Sequence, residues 1–172
     1  MPPHCDSLDG PVVRAASAAL DAEDVDMLLP YVKETAEAEL RRAFELAVKA
    51  RTQGAEAREV ADRFLFETAV RLHRAGEGAA FTGLKPAGLD VGPVIPLAEA
   101  AIASGDVTPL ADFLGAAVRS ETAARFDHVV RSEPAPGAGV PEVRTYVEAV
   151  LGLQVWAHKL HGAVHAPAHE NR

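Results

Sequence analysis

A single cysteine in 172 residues leaves no intrachain disulfide to form, so packing alone must hold the fold. Aromatic residues make up only 5% and runs of Val, Ile and Thr are rare, which removes most of the material from which β-sheets are built. Positive charge is also scarce: 17 Lys+Arg stand against 25 Asp+Glu, a formal charge of −8. Such a chain cannot provide the dense phosphate neutralisation that nucleic acid requires, so DNA and RNA are not expected partners. No apolar run approaches the ~20 residues of a membrane span. The N-terminus lacks a basic start followed by an apolar stretch of roughly 7–15 residues, and the expected address is therefore cytoplasmic. The phosphate-cradling patterns G-x-x-x-x-G-K-[ST] and G-x-G-x-x-G are missing, as are G-x-S-x-G, H-E-x-x-H and C-x-x-C. Nucleotide binding, serine hydrolysis and thiol exchange have no motif to rest on.

Hydrophobic residues at 48% and charged residues at 24% match an ordinary globular domain of about 45–50% and 25%. Roughly a fifth of the chain is alanine, the strongest helix former, and the expected fold is all-α, a single helical domain over residues 1–172. Asp9 and Gly10 precede Pro11, whose missing N–H costs nothing in a first turn, so a helix is expected over 11–21. Asp24 is expected to cap a second helical segment ending near Arg51, with Leu29, Ala36, Leu40, Ala43, Phe44 and Ala47 recurring at three- and four-residue spacing and Pro30 in its opening turns. A third helix, about 55–75, sets Val60, Phe64, Leu65, Thr68 and Leu72 on one side, widened by Phe66 and Val70. Five glycines and a Lys-Pro pair in 76–92 mark a surface loop. Helices are expected again over 93–104, from Asp106 to about Arg131, and over 141–164, with a short loop at 134–139 and a frayed tail at 165–172.

Sliding the chain by 82 residues lays Gly10-Pro11-Val12 on Gly92-Pro93-Val94 and Asp24-Val25 on Asp106-Val107. This predicts a duplicated three-helix unit, with halves at about 10–75 and 92–164 packed about a pseudo-twofold axis into one bundle. Chemistry is then expected where the halves differ. The first copy is preceded by His4-Cys5-Asp6-Ser7-Leu8-Asp9, the second by Lys85-Pro86-Ala87-Gly88-Leu89-Asp90, and only the first carries an imidazole and a thiol. Imidazole, thiolate and carboxylate together suit a late first-row transition metal. An extended N-terminal hook, residues 1–9, could wrap them around one ion, since adjacent helix positions diverge by about 100°.

The strings PPHCDSLDGPVV, RLHRAGEG (71–78) and TGLKPAGLD (82–90) resemble an uncharacterised family of small prokaryotic helical proteins with a domain of unknown function. HCDSLDG is also similar to the nickel hook of nickel superoxide dismutase, a His-Cys-Asp-x-x-Cys-Gly segment leading into a helical bundle. His4, Cys5, Asp6 and Gly10 match that hook, while Asp9 stands where it has its second cysteine. In that enzyme the histidine is the mature N-terminus and lends its amine to nickel, whereas His4 here follows Met1-Pro2-Pro3. Carboxylate in place of thiolate hardens the site toward Zn(II), Co(II) or Fe(II) and away from a thiolate-supported nickel redox couple.

The expected site is one transition-metal ion, drawn from zinc, nickel, cobalt, iron or copper, held by His4 and Cys5 with Asp9 or His73 as further donors. His73 enters because the glycine loop could lie over the N-terminal segment, although a histidine at a helix C-terminus is also favoured by the helix dipole alone. His158, His161 and His165 share a face of the last helix at i, i+3 and i+7, most simply as a solvated helix end. The functional expectation is a metal-binding helical protein, either a small redox enzyme or a metal-handling protein. The alternative is a non-catalytic binding or interaction module with no metal, and a homo-oligomer fits either.

Overall fold

The computed structural model describes residues 3–166. It is all-α, with one isolated bridge, Ser7 to Lys85, as its only β-type pairing among those residues. The helices are α1 (Pro11–Ala22), α2 (Glu37–Arg51), α3 (Ala55–Gly76), α4 (Val94–Ser104), α5 (Thr108–Arg131) and α6 (Val140–Val164). The chain divides into two compact units that part after Gly92.

In the first unit the buried positions follow the helical period closely. Leu40, Ala43, Phe44 and Ala47 on α2 fall at i, i+3, i+4 and i+7, and Val12, Val13, Ala16, Ala19 and Leu20 line one side of α1. Four of these are alanines, Ala16, Ala19, Ala43 and Ala47, on α1 and α2, which both pack on α3, where small side chains let helix axes approach closely. On α3 the buried set is Ala61, Leu65, Thr68, Ala69, Val70, Leu72 and Arg74. Each fully buried Leu or Val contributes about 1.5–3 kcal/mol through removal from water. Phe81 and Leu84 of the glycine loop pack against this core, so the loop is seated rather than loose. At one end, Arg51 reaches Asp21 of α1 at 2.8 Å and Asp62 of α3 at 2.9 Å, tying three helices together.

Three expectations require correction in this unit. The segment after Asp24 is not one helix to Arg51. It breaks into 3-10 turns at Val25–Met27, Leu29–Tyr31 and Glu34–Ala36 before α2 begins, because Pro30 offers no N–H to an α-helical ladder and its ring crowds the carbonyl four residues back. Asp24 still caps, but it caps the first of these turns, accepting from the Asp26 N–H at 3.0 Å. Val60 and Phe64 are not core: Val60 is 70% exposed and Phe64 is exposed as well, because the buried face of α3 runs through Ala61, Leu65 and Thr68 instead. Nor is the N-terminal segment extended. Pro3–Asp6 forms one turn of 3-10 helix.

The second unit comprises α4, α5 and α6. α4 ends on Gly105 in the left-handed conformation, and Asp106 caps the next turn by accepting the Thr108 N–H at 2.9 Å. Between α5 and α6 the Arg125 guanidinium lies 5.0 Å over the Trp156 ring and pairs with Glu121 at 2.7 Å. Among the described residues of this unit only Ala149 is buried. No described helix in either unit is long and apolar enough to cross a membrane.

Candidate functional site

The N-terminal turn is built by close backbone approach. The Ser7 hydroxyl donates to the His4 carbonyl at 2.9 Å, and the Gly10 N–H donates to the Ser7 carbonyl at 2.8 Å. A Cβ on residue 10 would run into the His4 carbonyl oxygen, so glycine is required there for space rather than for an unusual dihedral. The turn is then stitched to the glycine loop. Lys85 N–H donates to the Asp6 carbonyl at 2.8 Å, Leu8 N–H donates to the Lys85 carbonyl at 3.0 Å, and Gly88 N–H donates to the Asp9 carboxylate at 2.8 Å. That last bond is the main reason the Asp9 carboxyl titrates below its ordinary value, with the Ser7 hydroxyl adding to it.

Beneath the turn lies a buried ion pair. Arg74 of α3 donates through Nε to Asp6 Oδ1 at 2.6 Å, and the two side chains are 7% and 4% exposed. The same guanidinium reaches Glu77 at 3.0 Å. The Asp6 hydrogen bond is the leading cause that holds Arg74 protonated beyond its usual range, against the opposing effect of burial, with the charges of Asp6, Glu77 and Cys5 also contributing. Glu77 in turn faces His73 Nε2 at 3.5 Å, and His73 Nδ1 lies 2.8 Å from the Tyr31 carbonyl. A carbonyl only accepts, so the ring hydrogen sits on Nδ1 in that contact. His73 and Glu77 border a cavity of about 290 Å³ together with Tyr31, Lys33 and Gly76.

His4 and Cys5 are adjacent in space as in sequence. Cys5 is buried, His4 is half-buried, and Sγ lies 3.8 Å from Nε2 and 3.9 Å from Nδ1. Asp9 is engaged by Gly88, and His73 by Tyr31 and Glu77. Among the described residues no three His, Cys, Asp or Glu side chains gather as a metal site. The link from the His4–Cys5 turn to His73 runs through Asp6, Arg74 and Glu77 as a chain of charge contacts. On α6 the His161 and His165 rings lie 4.3 Å apart on an exposed helix end.

Arg74 is the residue that sequence reasoning passed over. Its signal was its phase: it lies four residues beyond buried Val70, on the apolar side of α3, where a basic residue needs a buried acid. The partner, Asp6, is 68 positions away and could not be named from spacing.

Residues 9–156 match the model of a family described as "Family of unknown function (DUF6448)". The match begins at Asp9 and takes in His73, while His4 and Cys5 lie ahead of it. No curated protein and no solved structure matches the chain.

Proposed function

The chain belongs to that family of unknown function, and on this premise we propose that it is a transition-metal-handling helical protein that engages one ion through His4 and Cys5. The observation that carries the reading is the 3.8–3.9 Å separation of Sγ from the imidazole nitrogens. Bonds of about 2.3 Å to sulfur and 2.0–2.1 Å to nitrogen at a tetrahedral angle place the two donors about 3.6 Å apart, so the pair is near coordinating distance, and the imidazole must turn to aim one nitrogen at the shared ion. The Arg74–Asp6 pair fixes the turn that presents them, and the Arg74 guanidinium lies near enough to Cys5 to interact with it electrostatically. Two protein donors leave the remaining positions to water or to an exchanging ligand. That suits transfer of an ion better than a closed four-ligand structural site. Asp9 and His73 keep a donor atom each, Oδ1 and Nε2, while Oδ2 accepts from Gly88 and Nδ1–H donates to Tyr31, but neither gathers with His4 and Cys5 as a three-ligand site.

Titration of the full chain, prepared without a polyhistidine tag, with Co(II) tests this through thiolate-to-cobalt charge-transfer absorption. The expected result is a band saturating at one equivalent, absent in Cys5→Ser and intact in the His158→Ala/His161→Ala double variant. A band unchanged in Cys5→Ser, or none in the wild type, overturns the reading. The second reading, a non-catalytic interaction module, is favoured by the exposed apolar faces of α5 and α6. Metal-free, fully folded protein would support it.

A further inference from the structure

His73 keeps one ring nitrogen without a partner. Its Nδ1–H donates to the Tyr31 carbonyl at 2.8 Å, which fixes the tautomer and leaves a lone pair on Nε2. Nε2 is buried and has no hydrogen-bond partner among the described residues. What it faces is a second acceptor, Glu77 Oε1 at 3.5 Å, whose companion Oε2 accepts from Arg74 Nη1 at 3.0 Å. Two lone pairs turned toward each other repel, and a buried orphan of this kind calls for a positive group between them.

The separation decides which group. A proton shared by imidazole and carboxylate would draw the two atoms to about 2.7–2.9 Å. A water or ammonium donating to both at about 2.8–2.9 Å and a tetrahedral angle would hold them about 4.6–4.7 Å apart. An ion with bonds of about 2.0–2.1 Å to nitrogen and 2.0–2.2 Å to oxygen at the same angle holds them about 3.3–3.5 Å apart. The observed 3.5 Å lies in the last range. We propose that His73 Nε2 and Glu77 Oε1 hold a divalent transition-metal ion of the Zn(II) type, at a site separate from the His4–Cys5 turn and independent of its thiol.

The surroundings fit a ligand pair. A metal-bound histidine donates its other ring N–H to a carbonyl or carboxylate, and a bound carboxylate is itself hydrogen-bonded; the Tyr31 carbonyl and Arg74 fill those two places. His73 and Glu77 stand at i and i+4 where α3 ends, and the helix dipole favours positive charge there. Both side chains are largely buried, at 17% and 14% exposed, so they are held before an ion arrives. The cavity of about 290 Å³ that they border has room for several waters of about 30 Å³ each to complete the coordination. Lys33 lines the same cavity but carries only donors, so it adds a charge and no ligand. Its charge and that of Arg74 lower the affinity for a dication, which suits an exchangeable ion rather than a permanent structural one.

The test uses the full chain carrying Cys5→Ser, His158→Ala and His161→Ala, so that neither the thiol nor the paired histidines of α6 contribute. Calorimetric titration with Zn(II) is expected to show one equivalent bound, and Co(II) to give d–d absorption without a thiolate charge-transfer band. In that background His73→Gln and Glu77→Gln should each weaken binding by more than the roughly 10–100-fold that losing a residue behind a ligand costs. His4→Ala should leave it unchanged. If either substitution at 73 or 77 lowers helical circular dichroism, nitrogen-15 NMR of the histidine rings decides without it: Zn(II) should move the His73 Nε2 signal while the Nδ1–H signal persists. No Zn(II) uptake, uptake indifferent to both substitutions, uptake lost with His4→Ala, or an unmoved Nε2 signal overturns the site. The thiolate-to-cobalt band of the wild type reports Cys5 alone, so failure at either site is told apart from failure at the other.

Discussion

The two units are written in nearly the same helical language and differ in what their helices bury. α1 ends at Ala22 and α4 at Ser104, the same 82-residue offset that aligns their sequences. Yet Val12, Val13, Ala16, Ala19 and Leu20 are buried on α1, and no residue of α4 is. The two glycines at that offset, both within the first unit, also differ in why they are needed. Gly10 is required because the His4 carbonyl presses against it, whereas Gly92 stands in open space with φ +72, a left-handed conformation that glycine adopts without strain. Helix-forming pattern and burial are therefore separate properties, and only the first unit turns the pattern into a self-sufficient core.

The sharpest way to break this contrast is to remove one arginine from each unit. Arg74→Ala leaves Asp6 charged and buried, and a loss of about 3–5 kcal/mol of unfolding free energy is expected. Arg125→Ala removes a side chain 37% exposed, paired with a 49% exposed Glu121, and about 1 kcal/mol or less is expected. Denaturant unfolding read by circular dichroism measures both. Equal losses would mean that the second unit hides a core of comparable weight.

The matched glycines give a smaller effect with a site-specific readout. Gly10→Ala should cost about 1–3 kcal/mol, as overpacking does, and should speed the reaction of Cys5 with a thiol reagent by displacing the turn that buries it. Gly92→Ala should cost about 1 kcal/mol through its dihedral alone and leave the rate at Cys5 unchanged. The same rate in both variants would dissolve the distinction.

The smallest effect is a pH response confined to the first unit's seam. Gly88 holds the Asp9 carboxyl below its ordinary value of 3.8, so that contact stabilises the native chain above the ordinary value and is lost as pH falls through the lowered one. Hydrogen exchange at the Gly88 amide should accelerate relative to its intrinsic rate only below about pH 3.8, and Asp9→Asn should remove that acid-side step.

For the site, the sequence pointed to the segment but not to its wiring. The expected duplication set His4-Cys5-Asp6 against Lys85-Pro86-Ala87 and so drew attention to the segment, in which His4 and Cys5 do sit side by side. Asp6, however, is committed to Arg74, Asp9 to Gly88, and His73 to Tyr31, each a pairing across 42 or more positions. Spacing along a chain reveals which groups share a helix face. It carries no record of which distant backbone amide reaches a carboxylate first.

What the sequence determined by itself was the all-α class and the placement of helices. Ala-rich runs with three- and four-residue recurrence, stopped by Gly54, Gly76 and Gly105 and started by Pro11 or Asp106, locate five of the six α-helices to within one or two residues. α2 was legible at its end and not at its start, where Pro30 broke the run. Those signals are local, because helix hydrogen bonds close within four residues. The tertiary structure alone decided that Val60 and Phe64 face water while Arg74 is buried, and that the glycine loop is laced to residues 6–9. It alone left Val143, Val147, Leu151 and Val155 of α6 exposed. The reason is that burial is set by whatever segment arrives from elsewhere in the chain, and an apolar face looks the same in sequence whether or not anything arrives.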